Sequence, residues 1–423
     1  MRHKILLRAL ALGLPQLTLM VVLATGARAA AREKVLYAFS GGADGGGPLA
    51  GLISDKNGNL YGTTSTGGAN GAGTVFELSP TKGGGWTETV LYAFTGGSDG
   101  GYPAGGVIFD AEGDLYGTTA DGGANGDGTV FELSPTDGGG WTETVLHSFN
   151  GDDGLSPSAG LVFDGAGNLY GTTFSGGKPL DLGVVFELSP TAKGKWKEKV
   201  LLELGKHPDG GGPMGALVFD GAGNLYGTAS GGYQVVGSVF ELTPLANGKW
   251  KETVLYGFKG KGDGGRPLGS VVLDAEGNVY GTTSEGGRIT EQYPCAFGCG
   301  TVFELMPRAQ GKWKEAVLYE FEGGEDGDGP VAGLVFDAAN NLYGTTEMGG
   351  GTGCQFQFGC GSAFELTASA NGKWKETVLH RFKNTKGGQQ PMAGLILDSA
   401  GNLYGTGSGA GAGGGGVVFE ITP

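Results

Sequence analysis

A six-residue motif that recurs seven times constrains the fold more than any other feature of this sequence. Its first copy, residues 59–64, reads Asn-Leu-Tyr-Gly-Thr-Thr. The tyrosines of the seven copies are Tyr61, Tyr116, Tyr170, Tyr226, Tyr280, Tyr343 and Tyr404. Successive tyrosines are 54 to 63 residues apart. A period of this length is typical of repeat architectures, in which each copy forms one supersecondary unit.

Each repeat is predicted to form four short β-strands. In the first repeat these are residues 50–53, 60–64, 74–78 and 86–94. The first strand is a continuous apolar run, which indicates burial on both faces. The fourth alternates, with Trp86, Val90, Tyr92 and Phe94 on one side and Thr87 and Thr89 on the other, as in a half-exposed outer strand. Gly-rich and Asx-rich turns connect the strands.

The strand count predicts how the chain closes. The first three strands occur seven times, but a fourth strand follows only six of the third strands. An orphan fourth strand, residues 33–39, lies near the N-terminus and aligns with residues 88–94. An outer strand supplied from the opposite terminus closes a ring and protects its sheet edges, whereas an open solenoid needs capping repeats.

The sequence therefore predicts an all-β fold, a seven-bladed β-propeller of four-stranded antiparallel blades. The predicted blades are residues 49–94, 104–149, 159–204, 214–258, 268–321, 331–382, and 393–423 completed by 32–39. Every first strand begins with two small residues, as in Ala50-Gly51 and Gly105-Gly106, which indicates seven copies crowding toward one axis. The alternative is that these are loop residues of a Gly-rich chain.

The N-terminus has the pattern of a secretory signal peptide. Basic residues precede a largely apolar run over residues 9–24, and Ala27-Arg28-Ala29 fits an A-x-A cleavage site. The sequence predicts a signal peptide over residues 1–29 and a single domain over residues 30–423. The alternative is a retained membrane anchor, for which the run is short against roughly 20 residues. No membrane span is expected after cleavage.

Composition limits the partners. The net charge is −15 and the chain contains 92 glycines without a collagen-like period. A nucleic-acid partner requires clustered Lys and Arg, so none is expected. An acidic surface suits an exported protein, or one that binds cations or neutral sugars.

The tandem pattern of Gly-Leu-Val-Phe-Asp, Asn-Leu-Tyr-Gly-Thr-Thr, Thr-Val-Phe-Glu-Leu and Trp-x-Glu-x-Val-Leu-Tyr resembles the GloVer repeat of exported "choice-of-anchor" bacterial proteins. The resemblance covers residues 33–423. It implies export and a propeller-like repeat, and it transfers no activity. Members often end in an anchoring tail, whereas this sequence ends its last repeat at Ile421-Thr422-Pro423, so release as a free secreted or periplasmic protein is expected. The strand order also looks like that of NHL-type propellers, which mostly bind.

Carboxylates recur in every blade. An Asp stands four residues before a Pro in six connections between blades, and the seventh connection has Gly387 before Pro391. The six residues are Asp44, Asp99, Asp153, Asp209, Asp263 and Asp326. Such a ring indicates either Ca²⁺ or polyol binding or turn-capping carboxylates. No cofactor is expected, with Ca²⁺ the one possibility left open.

Strand glutamates also repeat, in the third strands (Glu77 and its equivalents) and in the fourth strands (Glu88 and its equivalents). Paired carboxylates can catalyse glycoside hydrolysis, but an active site is normally singular. We therefore expect these glutamates to accept hydrogen bonds from backbone, Thr or Trp groups. His147 and His380 replace the fourth-strand Tyr, and no Ser-His-Asp or zinc-binding group stands out.

The four cysteines break the repeat symmetry. Cys295, Cys299, Cys354 and Cys360 lie in the loops between the second and third strands of blades five and six, which are longer than their counterparts. Export favours disulfides. We expect Cys295–Cys299 and Cys354–Cys360, while a pairing between blades remains open.

The same two loops contain four aromatic residues, Tyr293, Phe297, Phe356 and Phe358. By the strand order they share a face with the connections that hold Asp263 and Asp326. Insertions on a rigid scaffold are a common place for function, so these six residues form the predicted ligand patch. The alternative is that the aromatics pack on their own disulfides.

Together these features predict an extracellular, monomeric, non-catalytic propeller that binds a glycan or a protein. One alternative is a polysaccharide hydrolase or lyase acting from the loop-rich face. Another is a structural cell-surface protein. Near-identical blades favour the binding and structural classes.

Overall fold

The computed structural model describes residues 31–192, 194–205, 210–231, 236–288, 295–351, 354, 359–369, 371–384 and 387–423. In that part of the chain, seven four-stranded antiparallel sheets follow one another around a ring. The predicted signal peptide, residues 1–29, lies outside the described residues. No helix of the described part is long and apolar enough to cross a bilayer.

The strands have the following bounds. Strand β1 is Arg32–Ala38. Blade one contains β2 (Ile53–Ser54), β3 (Leu60–Thr64), β4 (Thr74–Pro80) and β5 (Trp86–Ala93); blade two contains β6 (Ile108–Phe109), β7 (Leu115–Thr119), β8 (Thr129–Pro135) and β9 (Trp141–Ser148). Blade three contains β10 (Val162–Phe163), β11 (Leu169–Thr173), β12 (Val184–Pro190) and β13 (Trp196–Glu203); blade four contains β14 (Val218–Phe219), β15 (Leu225–Ala229), β16 (Ser238–Pro244) and β17 (Trp250–Gly257).

Blade five contains β18 (Val272–Leu273), β19 (Val279–Thr283), β20 (Thr301–Arg308) and β21 (Lys312–Glu320), with a single 3₁₀ turn at Ala309–Gly311. Blade six contains β22 (Val335–Phe336), β23 (Leu342–Thr346), β24 (Ser362–Ala368) and β25 (Trp374–Arg381). Blade seven contains β26 (Ile396–Leu397), β27 (Leu403–Gly407) and β28 (Val417–Thr422).

The ring closes as the strand count predicts. Strand β1 pairs antiparallel with β28, and the sheet of blade seven runs in the order β1, β28, β27, β26. Arg32 lies opposite Thr422, and Ala38 lies opposite Val417. The two ends of the domain therefore share one sheet, and the seven-bladed prediction is confirmed.

Aromatic contacts join most blades to the next one. At five junctions the Phe that follows an outer strand packs edge-to-face on the third-strand Phe of the next blade, as Phe94 does on Phe131 at 5.1 Å. Phe39 makes the same contact with Phe76 at 5.0 Å, so the N-terminal strand joins blade seven to blade one. Both Phe39 and Phe76 have no exposed surface. Such pairs stabilise a core beyond the apolar area that they bury.

The inner strands are shorter than predicted. The structure gives two-residue strands such as Ile53–Ser54, because the small residues before them pack against the neighbouring blades instead of pairing within the sheet. A Cβ atom on Gly105 would lie 2.5 Å from the carbonyl oxygen of Ala159 in the next blade. Thr63 Oγ1 donates to the carbonyl oxygen of Gly105 at 3.0 Å, which links blade one to blade two near the axis. The pairs of small residues before the first strands thus allow neighbouring blades to pack closely, as predicted.

The outer strands contain a β-bulge that simple alternation does not predict. In blade one the register shifts between Val75 and Phe76, because Val75 pairs with Tyr92 whereas Phe76 pairs with Val90. The extra residue, Leu91, is buried at 9% exposure. The predicted alternation of side chains therefore fails beyond Val90, since a bulge changes the direction in which the following side chains point.

Candidate functional site

Two sets of loops meet on one face of the ring, called here the loop face. It comprises the connections between blades and the loops between second and third strands. Isolated bridges join the two sets: Gly265 pairs with Glu285, and Asp328 pairs with Met348. The predicted patch residues in the described part therefore lie on one face.

The five connection Asp residues that the structure describes cap their own turns. Asp99 accepts hydrogen bonds from the backbone N–H and the side-chain hydroxyl of Thr95, and from the Tyr92 hydroxyl at 3.1 Å. Burial alone would raise the pKa of the Asp99 carboxyl, but these donors lower it below its usual value. The carboxylate therefore accepts its hydrogen bonds from residues of its own turn and of the strand that precedes it.

Both Asp residues of the predicted patch accept equivalent hydrogen bonds within their own turns. Asp263 accepts from the Tyr256 hydroxyl at 3.0 Å and from the Lys259 N–H at 3.1 Å. Asp326 accepts from the Tyr319 hydroxyl at 3.0 Å. The described residues contain no group of three or more His, Cys, Asp or Glu side chains that could hold a metal ion.

The third-strand glutamates accept hydrogen bonds from hydroxyl groups. Glu365 accepts from the Tyr343 hydroxyl at 2.9 Å, and Glu77 accepts from Ser79 Oγ at 2.6 Å. A structural role with backbone, Thr or Trp donors was expected; Thr243 Oγ1 does donate to Glu241 at 3.3 Å, whereas the Ser and Tyr donors were not expected. The Tyr partner follows from register, because each Tyr of the repeated motif lies opposite this Glu.

The fourth-strand glutamates differ from that expectation. Their Oε1 atoms are buried and lack a hydrogen-bond partner within the described part at Glu33, Glu88, Glu143, Glu198, Glu315 and Glu376. Burial, followed by the Asp44 carboxylate of the preceding connection, raises the pKa of Glu88 to about 7. The same two causes, with Asp326 as the neighbour, raise the pKa of Glu376 to about 7. Burial likewise raises the pKa of the equivalent carboxyl to about 7 in Glu143 and Glu198 and to about 6 in Glu315, so five blades have an outer-strand carboxyl that titrates closer to neutral pH than usual.

Both predicted disulfides are present, each within its own loop. Cys295 pairs with Cys299, and Cys354 pairs with Cys360. Backbone hydrogen bonds fix the first bridge to its surroundings: Gly329 N donates to the Cys299 carbonyl at 3.1 Å, and Gly286 N donates to the Phe297 carbonyl at 2.7 Å. The disulfide-bonded loop of blade five is therefore hydrogen-bonded to the connection that leads into blade six.

Phe297 is the predicted aromatic that the structure describes. Its side chain is 75% exposed, so it does not pack on its own disulfide. Tyr293, Phe356 and Phe358 lie outside the described residues. The aromatic patch is therefore represented by Phe297 alone.

Other exposed apolar residues of the loop face were missed by the sequence argument. Within the described part, the large apolar side chains with exposed surface are Tyr102, Phe174, Leu180, Met214, Leu245 and Phe297. Five of these six lie in loops of the loop face, and Leu245 lies in the β16–β17 hairpin at the opposite face. The exposed large apolar side chains of the described part are therefore concentrated on the loop face.

A backbone feature of the same face also escaped the sequence argument. The residue before the Pro of each connection has positive φ, and it is Gly in three blades. In the other four it is Tyr102, Ser156, Arg266 or Gln390, with φ between 51° and 54°. Non-glycine residues in this region are uncommon and concentrate at functional sites. Replacement of Gly by side-chain-bearing residues at this position was visible in the sequence.

A cleft of about 320 Å³ opens on the loop face between blades five and six. Its walls include Arg266, Leu268, Phe297, Asp328, Glu347 and Met348. Asp328 is only 5% exposed. Burial, followed by the carboxylates of Glu347 and Asp326, raises the pKa of Asp328 to about 7. Burial also raises the pKa of Glu347. The cleft thus contains a pair of acidic groups beside an exposed aromatic ring.

Seven four-stranded blades and a stapled loop face define this molecule as a repeat β-propeller. The chain belongs to the Gloeobacter/Verrucomicrobia repeat family, whose pattern matches residues 24–193, 136–354 and 253–423. None of the curated proteins matches the sequence.

Solved structures resemble it in fold. A fungal alcohol oxidase of the AA5 family, solved with copper, is similar with a TM-score of 0.56 and 14% identity; the match covers 93% of this chain and 76% of the oxidase. PorZ, a surface component of the type-IX secretion system of Porphyromonas gingivalis, matches with a TM-score of 0.41 and 13% identity over 84% of this chain and 48% of its own. The oxidase match supports the propeller fold and no activity.

Proposed function

We propose that this protein is an exported binding propeller whose loop face takes an extracellular glycan or protein. The observation that carries the proposal is the one-sided distribution of exposed apolar side chains. Five of the six in the described part lie on the loop face. Apolar anchors of this kind, and aromatic ones above all, dominate binding energy at protein surfaces.

The chemistry of the chain supports export. Two disulfides persist in oxidising compartments and are rare in the cytosol. The N-terminal pattern of basic residues, apolar run and A-x-A site agrees with secretion. Secretion or release into the periplasm therefore forms part of the proposal, together with a monomeric state.

The loop face is also built to hold its side chains in place. Disulfides staple two of its loops, and backbone bridges join the connections to the second-to-third-strand loops. Side chains on a rigid frame lose less conformational entropy when they bind. The opposite face consists of tight hairpins without these bridges.

The test is a glycan array and an extracellular-protein screen, followed by variants of the two faces. We expect Phe297→Ala and Tyr102→Ala to weaken binding by about tenfold or more each, because truncating a buried aromatic anchor costs about 2 kcal/mol. Leu245→Ala, which truncates a side chain about as exposed as that of Tyr102 but on the opposite face, is the matched control and should leave affinity unchanged.

Thermal melts of all three variants should coincide, because each side chain is exposed. Loss of binding in Leu245→Ala alone would contradict the assignment of the face. Release of reducing sugars during the same incubations would assign the protein to the glycan hydrolases or lyases instead.

A further inference from the structure

The cleft between blades five and six departs from the repeat in a specific way. Asp328 occupies a bridge position held by Gly, Leu or Gln in the other blades: Gly46, Gly101, Leu155, Gly211, Gly265 and Gln389. Glu347 follows the repeated Thr-Thr pair, where the other blades have Ser65, Ala120, Phe174, Ser230, Ser284 and Ser408. No other blade has a carboxylate at either of these two positions, so the acidic pair occurs once in the ring.

The two carboxyls are held together by backbone hydrogen bonds. Asp328 N donates to the Met348 carbonyl at 2.8 Å, and Glu347 N donates to the Gly329 carbonyl at 3.0 Å. This short ladder brings the blade-six connection against the start of its loop, so both side chains line one cleft. Their mutual repulsion contributes to the raised pKa of Asp328.

The charges around the cleft leave this pair without a basic partner. Arg266 on the opposite wall is already paired with Glu285 at 2.8 Å, and Arg288 is paired with Glu322 at 2.7 Å. Across the described residues, no ion pair joins a Lys, Arg or His to Asp328 or Glu347. The sequence of residues 347–361 contains no basic residue. The cleft therefore has excess acidity that a bound cation would neutralise.

The shape of the cleft and the residues that line it favour one kind of cation. No group of three metal-ligating side chains occurs in the described part, which disfavours a metal ion. Leu268, Val331 and Met348 form apolar walls, and the exposed ring of Phe297 stands at the rim. A long methylene stem would pack on these walls while an ammonium group reached the carboxylates, and a nearby aromatic face adds attraction for a cation.

We propose that this cleft is a lysine pocket, which accepts the ammonium group of a lysine side chain presented by an extracellular protein partner. Asp328 and Glu347 bind the ammonium group, and Leu268, Val331 and Met348 pack on the stem. The inference rests on the proposed function, because it names the partner chemistry of the same loop face.

The test is a titration of the intact protein with Nα-acetyl-lysine methylamide, followed by ligand-observed NMR. The norleucine analogue lacks the amine and should bind at least about tenfold more weakly, because the carboxylates then stay unpaired. Asp328→Asn should weaken the lysine probe by about tenfold or more. Glu276→Gln removes an exposed carboxylate of the β18–β19 hairpin, which does not line the cleft, so it is the matched control and should bind as the parent does.

Proton linkage gives a second readout. The lysine amine stays charged between about pH 6 and pH 8, so affinity should rise over that range as Asp328, whose pKa is raised to about 7, loses its proton. Asp326, Arg266 and Glu285 are the other charged groups near the pair, and each is already bonded to a partner. Glu347→Gln is measured as well, so that a folding defect in Asp328→Asn leaves the proposal testable.

Equal binding of the norleucine probe, or unchanged lysine affinity in both Asp328→Asn and Glu347→Gln, would overturn the lysine pocket. Tighter binding of glucosamine than of the lysine probe would overturn it in favour of an amino-sugar site. Failure here leaves the Phe297 and Tyr102 test unaffected, because that test uses the partner found by screening.

Discussion

Deletion of residues 32–39 is expected to lower the melting temperature of the propeller by on the order of 10 °C and to broaden the transition. Leu36 is 8% exposed and Phe39 is fully buried, so these two side chains alone contribute roughly 3–6 kcal/mol of apolar burial. The deletion also removes the ladder to β28 and leaves that strand as an open edge. The measurement is calorimetry of the shortened protein beside the parent.

Two single substitutions compare the contact that closes the ring with an equivalent contact elsewhere in the ring. Phe39→Ala removes the contact across the junction of blades seven and one, whereas Phe94→Ala removes the equivalent contact between blades one and two. Each should cost about 3–5 kcal/mol, because a buried Phe is truncated. A melt that is unchanged after deletion of residues 32–39 would show that β1 does not complete the ring.

The melting temperature is expected to rise by several degrees as the pH falls from about 8 to about 5. The cause is the row of buried outer-strand glutamates. Burial, followed by a neighbouring Asp carboxylate, raises the pKa of Glu88, Glu143 and Glu376 to about 7, and that of Glu315 to about 6. Burial likewise raises the pKa of Glu198 to about 7.

The direction follows from proton uptake. A carboxyl whose folded pKa lies above its unfolded value of 4.5 binds more protons when folded, so its contribution to stability grows as the pH falls from 7 toward 4.5. The turn-capping Asp residues act oppositely, because hydrogen bonds lower the pKa of groups such as Asp44 and Asp99 below 3.8. Stability should therefore peak near pH 5 and decline under more acidic conditions.

One variant isolates the glutamate effect. Glu376→Gln resembles the protonated carboxyl, so it should raise the melting temperature at about pH 8 and change it little at about pH 5. Glu112→Gln is the matched control, because Glu112 lies exposed in an inner hairpin. Greatest stability of the parent at about pH 8 would contradict the account.

The repeat explains why so much of the fold was predictable. Seven copies of one pattern fix strand number and order, and the orphan strand that ends at Phe39 fixes closure. The bulge at Leu91 was not predictable, because alternation in a sequence does not reveal where a ladder takes an extra residue. The predicted inner strands were too long. The small apolar residues that precede them have the composition of a strand, but they pack against the neighbouring blades.

The candidate site was less predictable for the same reason. Repetition draws notice to what most blades share, such as the Asp of the connections, whose described copies are turn caps. Asp328 and Glu347 differ from the residues at the same positions of the other blades, and only an alignment of the seven copies shows this difference. The exposure of Phe297 and Tyr102 depends on loop packing, which the sequence does not encode in a readable pattern.

The loop face exists only if the two ends of the domain meet, and one distance tests this directly. Spin labels on Arg32→Cys and Thr422→Cys would report it, since both positions are exposed and lie opposite each other in the ladder of β1 and β28. The account predicts one narrow distribution below about 20 Å, because paired Cα atoms lie about 4.5–5.5 Å apart. A broad distribution centred beyond about 30 Å, far outside the reach of a paired ladder, would contradict the closed ring.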